Sequence, residues 1–183
     1  MRQRHVWTDT STQATAQYYV SAQDKDGHTP LHLAWRPEVA CVLIEHGADL
    51  SAQDKDDHTP LHLAWHPEVT YVLIEHGADA SAQDKDGRTP LHLVWEKEVA
   101  HMLIECGADV SAKDKDCHTP LHVALQAGRL EVARMLIERG ADVSWDIQDK
   151  GGQIPIHVVP MEIGLILAFF YFLISDLFRY ALD

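Results

Sequence analysis

A block of 30 residues recurs almost verbatim along this chain of 183 residues, and no other feature limits its fold as strongly. Each copy contains Thr-Pro-Leu-His near its middle and Gly-Ala-Asp near its end. The copies occupy residues 21–50, 51–80 and 81–110, and a longer copy occupies 111–143. A degraded copy follows from Ser144. Repeats of this length predict a solenoid, in which each unit packs only against its neighbours.

Each copy carries the signals of two short helices. In the first copy, Thr29 can serve as an N-cap, and Pro30 fits the first helical position because the N–H that proline lacks would have no partner there. Pro37 starts a second helix, and Gly47 ends it, since glycine readily takes the positive φ needed just after a helix. The unit is therefore predicted to be a helical hairpin. The equivalent positions in the other copies are Thr59, Pro60, Gly77, Thr89, Pro90, Gly107, Thr119, Pro120 and Gly140.

The segment between one hairpin and the next has the composition of a turn. In the first copy it reads Ser-Ala-Gln-Asp-Lys-Asp-Gly-His over residues 21–28, which predicts a projecting polar turn. Two copies replace the glycine of this turn, with Asp57 and with Cys117. Both residues are expected to take positive φ at some energetic cost.

The first three copies have a shortened connection between their two helices. Only three residues fill it in each of these copies (35–37, 65–67 and 95–97), whereas the fourth copy has the six residues 125–130. The deletion removes a glycine that helps the chain to reverse. It predicts a shortened first helix in these three copies.

The pattern D-x-x-G-x-T-P-L-H-x-A, then an apolar helix, then G-A-D covers residues 21–143 and resembles the ankyrin repeat. The resemblance implies an all-α repeat solenoid of stacked helix-turn-helix units with projecting hairpin turns. Such arrays usually bind other proteins through the turns, called fingers, and through the inner helices, and they are not catalytic as such. The resemblance also implies that one histidine per unit hydrogen-bonds to the adjacent threonine and to neighbouring backbone. These histidines are His32, His62, His92 and His122.

Three segments are expected along the chain. Residues 1–20 are predicted to be unstructured or part of a repeat, residues 21–143 form the four units, and residues 144–183 form a degenerate fifth repeat with a hydrophobic C-terminal helix. Because residues 1–20 offer no capping helix, the chain is also a candidate fragment of a longer array.

Composition argues against several classes of partner and compartment. The formal net charge is -13 with only 15 lysines and arginines, so a phosphate backbone is not expected as a ligand, and no nucleic acid is predicted to bind. The three cysteines have no metal-type spacing, and the N-terminal residues contain no secretory apolar stretch. A reducing compartment, cytoplasmic or nuclear, is therefore predicted.

No cofactor, metal or catalytic site is expected, and the protein is predicted not to be an enzyme. Histidines separated by four residues, such as His28 and His32, lie one in the turn and one in the helix, so they do not share a helical face. The repeated aspartates, such as Asp24, are predicted to cap turns. No nucleophile motif stands apart from the repeat.

Protein binding is the predicted function, through the finger turns and inner helices. The finger turns hardly vary between units, which fits either a periodic target or recent duplication without a partner, and the second is favoured. The tryptophans of the shortened connections could form a contact stripe, because tryptophan is enriched at binding hot spots, but core filling is the favoured interpretation. The candidate contact residues are Lys25, Asp26, His28, Lys55, Asp56, His58, Lys85, Asp86, Arg88, Lys115, Asp116, His118, Trp35, Trp65 and Trp95.

The C-terminal segment leaves three alternatives open. Residues 163–175 carry no charge, and as a helix they would span about 20 Å against a hydrocarbon core of about 30 Å. The segment could be an end helix that packs or self-associates, a membrane anchor, or a tail without evolved function. The alternative function is therefore a membrane-tethered scaffold that presents the same array.

Overall fold

A computed structural model describes residues 17–143 and Lys150. The regular secondary structure of these residues is helical, without strands, and residues 17–21 form a helical segment ahead of the first unit. The elements that follow are α1 (Pro37–Glu45), the 3-10 helix η1 (Pro60–Leu63), α2 (Pro67–Glu75), α3 (Pro90–Leu93), α4 (Lys97–Glu105), α5 (Pro120–Gln126) and α6 (Leu130–Glu138). The predicted all-α repeat solenoid is confirmed.

The first helix of each unit depends on the length of the connection that follows it. In the fourth unit, which has the full connection, α5 continues for seven residues. In the second and third units η1 and α3 end after four residues, and in the first unit residues 30–33 form only a turn. The expectation that the deletion shortens the first helix is confirmed.

The second helices are alike in all four units because their end signals are local. Each has nine residues, and the residue two positions after its end is a glycine with φ between 84° and 91° (Gly47, Gly77, Gly107 and Gly140). At the first of these ends, Gly47 N–H donates to the carbonyl oxygen of Ile44 and Ala48 N–H donates to that of Leu43, each at 2.9 Å. These two bonds form a Schellman motif, which satisfies carbonyls that the helix end leaves without partners.

One continuous apolar core runs through the units. The leucine of each Thr-Pro-Leu-His is at most 3% exposed, and the second helices contribute residues such as Leu73, Leu103 and Leu136, each at most 1% exposed. These side chains belong to a single cluster that crosses every boundary between units. Each unit is therefore stabilised mainly by burial against its neighbours.

The tryptophans lie at the surface, so the interpretation that they fill the core is wrong. Trp35, Trp65 and Trp95 are 69%, 58% and 61% exposed. In the fourth unit the equivalent position is Leu125, which lies inside α5 and is only 3% exposed. In the third unit the backbone has already left helical geometry next to the tryptophan, with ψ of 142° at Val94. The deletion thus places the ring on extended backbone that directs it to solvent.

The predicted positive φ at the two substituted turn glycines is also confirmed. Asp57 has φ of 61° and Cys117 has φ of 66°, and Gly27 has φ of 88° in the first unit. A β-carbon on Gly27 would lie 2.9 Å from the backbone nitrogen of Lys55 in the next finger. Close approach of neighbouring fingers therefore adds to the conformational reason for a glycine there.

Candidate protein-binding surface

The finger turn is held by its first aspartate. The Oδ1 atom of Asp24 accepts hydrogen bonds from the backbone N–H groups of Asp26 at 2.8 Å and His28 at 2.9 Å. The same pair of bonds recurs at Asp54, Asp84 and Asp114. These aspartates cap turns, as predicted. Partial burial acts to raise the pKa of Asp24 and of Asp54. The N–H donors outweigh it and hold both pKa values below the ordinary value, because they stabilise the ionised carboxylate.

Backbone hydrogen bonds join each finger to the next. Lys55 N–H donates to Asp26 O at 2.9 Å, and the bond recurs 30 residues later from Lys85 and again from Lys115. The side-chain amino groups of Lys85 and Lys115 also donate to the carbonyl oxygen of the lysine in the preceding finger. The fingers therefore form one regular edge. Lys150 N–H donates to Asp116 O at 2.8 Å, which puts this residue in the same register beyond the fourth unit.

A ladder of alternating carboxylates and imidazoles crosses the first three fingers. His28 lies between two aspartates, with Nδ1 at 3.2 Å from Asp24 Oδ2 and Nε2 at 3.3 Å from Asp54 Oδ2. His58 repeats this arrangement between Asp54 and Asp84, at 3.1 Å and 3.4 Å. Sequence reasoning missed the ladder. The signal available was the spacing of four residues between aspartate and histidine, repeated with a constant offset of 30 residues.

At the third finger an arginine replaces the histidine of the ladder. Arg88 Nε lies 2.8 Å from Asp84 Oδ2, and its Nη2 lies 3.1 Å from Asp86 Oδ2. His118 in the fourth finger contacts Asp114 at 3.1 Å, as the other histidines contact their own aspartates. The four residues at this position, His28, His58, Arg88 and His118, are half-buried, and His28 and His58 connect neighbouring turns.

The histidines of Thr-Pro-Leu-His lie beneath the fingers. In the second unit, Thr59 N–H donates to His62 Nδ1 at 3.1 Å, and His62 Nε2 lies 3.1 Å from Arg88 O in the next finger. His32 and His92 make the same two contacts in their units. The geometry implied by the family resemblance is thus present. Burial lowers the pKa of His32, His62 and His92, because a buried imidazolium is poorly solvated.

The outermost residues of the predicted finger surface are exposed. The lysine and the aspartate at each finger tip project to solvent in all four units, and together they form the finger row. The finger row consists of Lys25, Asp26, Lys55, Asp56, Lys85, Asp86, Lys115 and Asp116. The structure therefore separates the predicted contact residues of the fingers into exposed tips and half-buried side chains (His28, His58, Arg88 and His118).

The exposed tryptophans form a second row with the same period, which we call the tryptophan row (Trp35, Trp65 and Trp95). At one end the guanidinium carbon of Arg36 lies 5.8 Å from the centre of the Trp35 ring. At the other end the guanidinium carbon of Arg129 lies 3.9 Å from the Trp95 ring, and Arg129 Nη1 donates to Val94 O at 2.8 Å. Trp65 has no such cation–π contact with any described residue.

Within residues 17–143, ligand atoms of Asp24, Asp26 and His28 lie within 4.8 Å of one another, as a metal site would require. The Asp24 carboxylate already serves the turn, since it accepts a hydrogen bond from the backbone N–H of Asp26 and lies 3.2 Å from Nδ1 of His28. Exposed acidic groups of this kind are ordinary in a polar turn, and the absence of a metal site remains a prediction. No helix among the described residues is long and apolar enough to span a bilayer, and residues 163–175 lie outside them.

The family model for ankyrin repeats, which spans three copies, matches residues 10–84 and again residues 66–149. A search of curated proteins gave no match.

Proposed function

Because this chain belongs to the ankyrin repeat family, we propose that it is a non-enzymatic protein-binding module that contacts its partner through the finger turns and inner helices. Ankyrin repeats generally mediate protein–protein interaction. The proposal for this chain goes further, because it assigns the contact to particular surfaces.

The observation that carries the proposal is the preorganised finger row. Its lysines and aspartates are exposed at every finger, yet the backbone between them is fixed by hydrogen bonds from Lys55 to Asp26 and from Lys85 to Asp56, each at 2.9 Å. A surface that is already ordered loses little conformational entropy when it binds, so more of the contact free energy appears as affinity.

Cross-linked affinity capture with matched charge reversals tests this assignment. The change is Lys25→Glu with Lys55→Glu in the full-length chain, since both side chains are exposed finger tips. The control is Arg134→Glu with Arg139→Glu, which changes the charge equally within α6 and at its C-terminal end, outside both the finger row and the tryptophans. Partners retained by the wild type and the control but lost by the finger variant would support the proposal. Equal capture by all three chains would refute contact through the fingers.

A membrane-tethered scaffold is the alternative function, and the uncharged sequence of residues 163–175 is the observation that favours it. The test is flotation with liposomes, followed by a salt wash, of the full chain beside a truncation that ends at Val143. Salt-resistant flotation of only the full chain would establish the tether. If both proteins stayed at the bottom of the gradient, the anchor would be refuted, and sedimentation velocity of the same pair would then test self-association through this segment.

We also propose a reducing compartment, cytoplasmic or nuclear. Cys41, Cys106 and Cys117 are all free thiols in the structure. Cytosolic proteins normally keep their thiols reduced, whereas small secreted proteins commonly use disulfides. Fractionation of cells that express the chain, with alkylation of thiols before lysis, would test the assignment, and recovery in the secreted fraction would contradict it.

A further inference from the structure

We infer that the tryptophan row binds a basic, proline-rich segment in the polyproline II conformation. This inference rests on the proposed protein-binding function and names the partner class for one surface of the array. Large apolar side chains that lie together at a surface often mark a contact region. Here three exposed tryptophan rings occupy the same position in three adjacent units. Tryptophan is also the residue type most enriched at binding hot spots.

The period of the row matches that of a polyproline II helix. Packed helices lie about 8–10 Å apart, so rings at equivalent positions of adjacent units recur at about that interval. Polyproline II rises about 3.1 Å per residue with three residues per turn, so side chains on one edge recur about every 9.3 Å. A proline at every third residue would therefore meet Trp35, Trp65 and Trp95 in succession. Docking of prolines on aromatic side chains is a common mode of peptide recognition.

The charges beside the row favour a basic ligand. Arg36 is paired with Glu38 at 3.4 Å, and Lys97 lies 3.9 Å from Glu98. Glu68 follows the middle ring by three residues and Glu96 directly follows the last ring, and both are exposed and form no ion pair with any described residue. Lysines or arginines of the ligand would thus find two carboxylates that form no ion pair with a described residue.

The row also has defined ends, which sets the length of the ligand. Beyond Trp95 the equivalent side chain, Leu125, is buried, and Arg129 lies against the ring of Trp95. Three rings at 8–10 Å intervals span about 16–20 Å, which corresponds to about seven residues of polyproline II. The exposed ring without a cation–π partner, Trp65, lies at the centre, where contact energy is usually concentrated.

Fluorescence anisotropy with labelled peptides tests the inference on the full-length protein. The probe is the twelve-residue peptide (Pro-Pro-Lys)4, and the control peptide (Gly-Ser-Lys)4 carries the same charge without the polyproline II preference. We expect the proline peptide to bind at least tenfold more tightly than the control peptide. Equal affinity for the two, or no measurable binding of either, would overturn the inference, because charge alone would then account for any association.

Matched variants locate the contact. Trp65→Ser is expected to weaken binding of (Pro-Pro-Lys)4 about tenfold, whereas Tyr71→Ser, which removes a 56% exposed ring from α2 of the same unit, is expected to leave it unchanged. Equal effects of the two substitutions would place the contact elsewhere and overturn the inference. Both side chains are exposed, and circular dichroism would verify that each variant keeps the wild-type fold.

A charge reversal separates recognition from general attraction to an acidic protein. Glu68→Lys with Glu96→Lys is expected to shift the preference of the row toward (Pro-Pro-Glu)4, whereas Glu45→Lys with Glu75→Lys, at exposed positions of α1 and α2, is expected not to do so. An identical shift in both variants would overturn the inference. If proteins are captured from cells through the finger row while no proline peptide binds, the inference fails and the proposed function stands.

Discussion

Replacing His62 with phenylalanine should destabilise the array by about 3 kcal/mol at neutral pH. His62 is 2% exposed, its Nδ1 accepts a hydrogen bond from Thr59 N–H, and its Nε2 donates to Arg88 O in the next finger. Phenylalanine keeps a ring of similar size but can make neither bond. Each buried group left without its partner costs about 1–3 kcal/mol, so two such groups cost about 2–6 kcal/mol, and added apolar burial offsets part of this.

The same substitution should change the pH dependence of stability. Burial lowers the pKa of His32, His62 and His92 below the ordinary value of about 6.5. Well above pH 6.5 these residues are neutral in both the folded and the unfolded chain. Below about pH 6.5 they bind protons in the unfolded chain more readily than in the folded chain. Stability is therefore lost as pH falls, by up to about 1.4 kcal/mol per pH unit for each histidine. The three together contribute at most about 4 kcal/mol per pH unit, and the variant should lose about one third of that slope.

Urea unfolding followed by far-ultraviolet circular dichroism at pH 7.5, 6 and 5 measures both effects. The control is His66→Phe, since His66 is exposed and its side chain does not cap α2, and its free energy of unfolding should stay within about 0.5 kcal/mol of the wild type. The reasoning would be refuted if His62→Phe were as stable as the control at pH 7.5, or if its stability fell with pH as steeply as that of the wild type.

Three further predictions concern the turns and the charge. Gly27→Ala should lower the free energy of unfolding by about 2 kcal/mol or more, because the new β-carbon would lie 2.9 Å from Lys55 N at φ of 88°. Gly77→Ala, at similar φ but with nothing within 4 Å of the β-carbon, should lower it by about 1 kcal/mol. Paired thermal melts would compare the two variants. Cys117→Gly should stabilise by about 0.5–1 kcal/mol in the same assay, because it relieves a φ of 66° at the expense of a more flexible unfolded chain, and an unchanged or lower melting temperature would contradict this. As the exposed histidines protonate, the formal charge of -13 shrinks, so turbidity should rise between pH 7.5 and 5, and a clear solution throughout would count against it.

Helix boundaries and turn caps could be predicted because their causes are local. The N1 proline Pro60 and the C′ glycine Gly77 act within a few residues, and the carboxylate of Asp54 caps its own turn. The effect of the deleted connection on the first helix was predictable for the same reason. Each of these features depends on the chemistry of neighbouring residues in the chain.

The orientation of the tryptophans could not be predicted in this way. Whether Trp95 turns inward depends on the residue at which the backbone leaves the helix, and that point is Val94, immediately before it. A departure one residue later would have kept the ring in the helical register that buries Leu125 in the fourth unit. The shortened connection places that residue next to the tryptophan, and the apolar character of the side chain does not encode it.

The ladder between fingers was missed because it depends on register between units. His28 meets its own aspartate four residues earlier, which the sequence suggests, but its contact with Asp54 at 3.3 Å arises only when two units stack with the fingers aligned. Predicting the ladder would have required aligning two identical turns side by side and identifying the side chains that meet.

Contacts between identical turns also explain why the fingers hardly vary. Each finger donates to and accepts from an almost identical neighbour, so contacts between stacked fingers account for the recurring aspartates and lysines and for His28 and His58. Their repetition does not by itself indicate a periodic target. One position that differs in all of the first three units lies directly after the tryptophan, where the residues are Arg36, His66 and Glu96, and all three are exposed. Stacking does not constrain these residues, because none of them lies in the core cluster. Discrimination between partners is therefore expected to reside beside the tryptophan row, while the finger row supplies a constant edge.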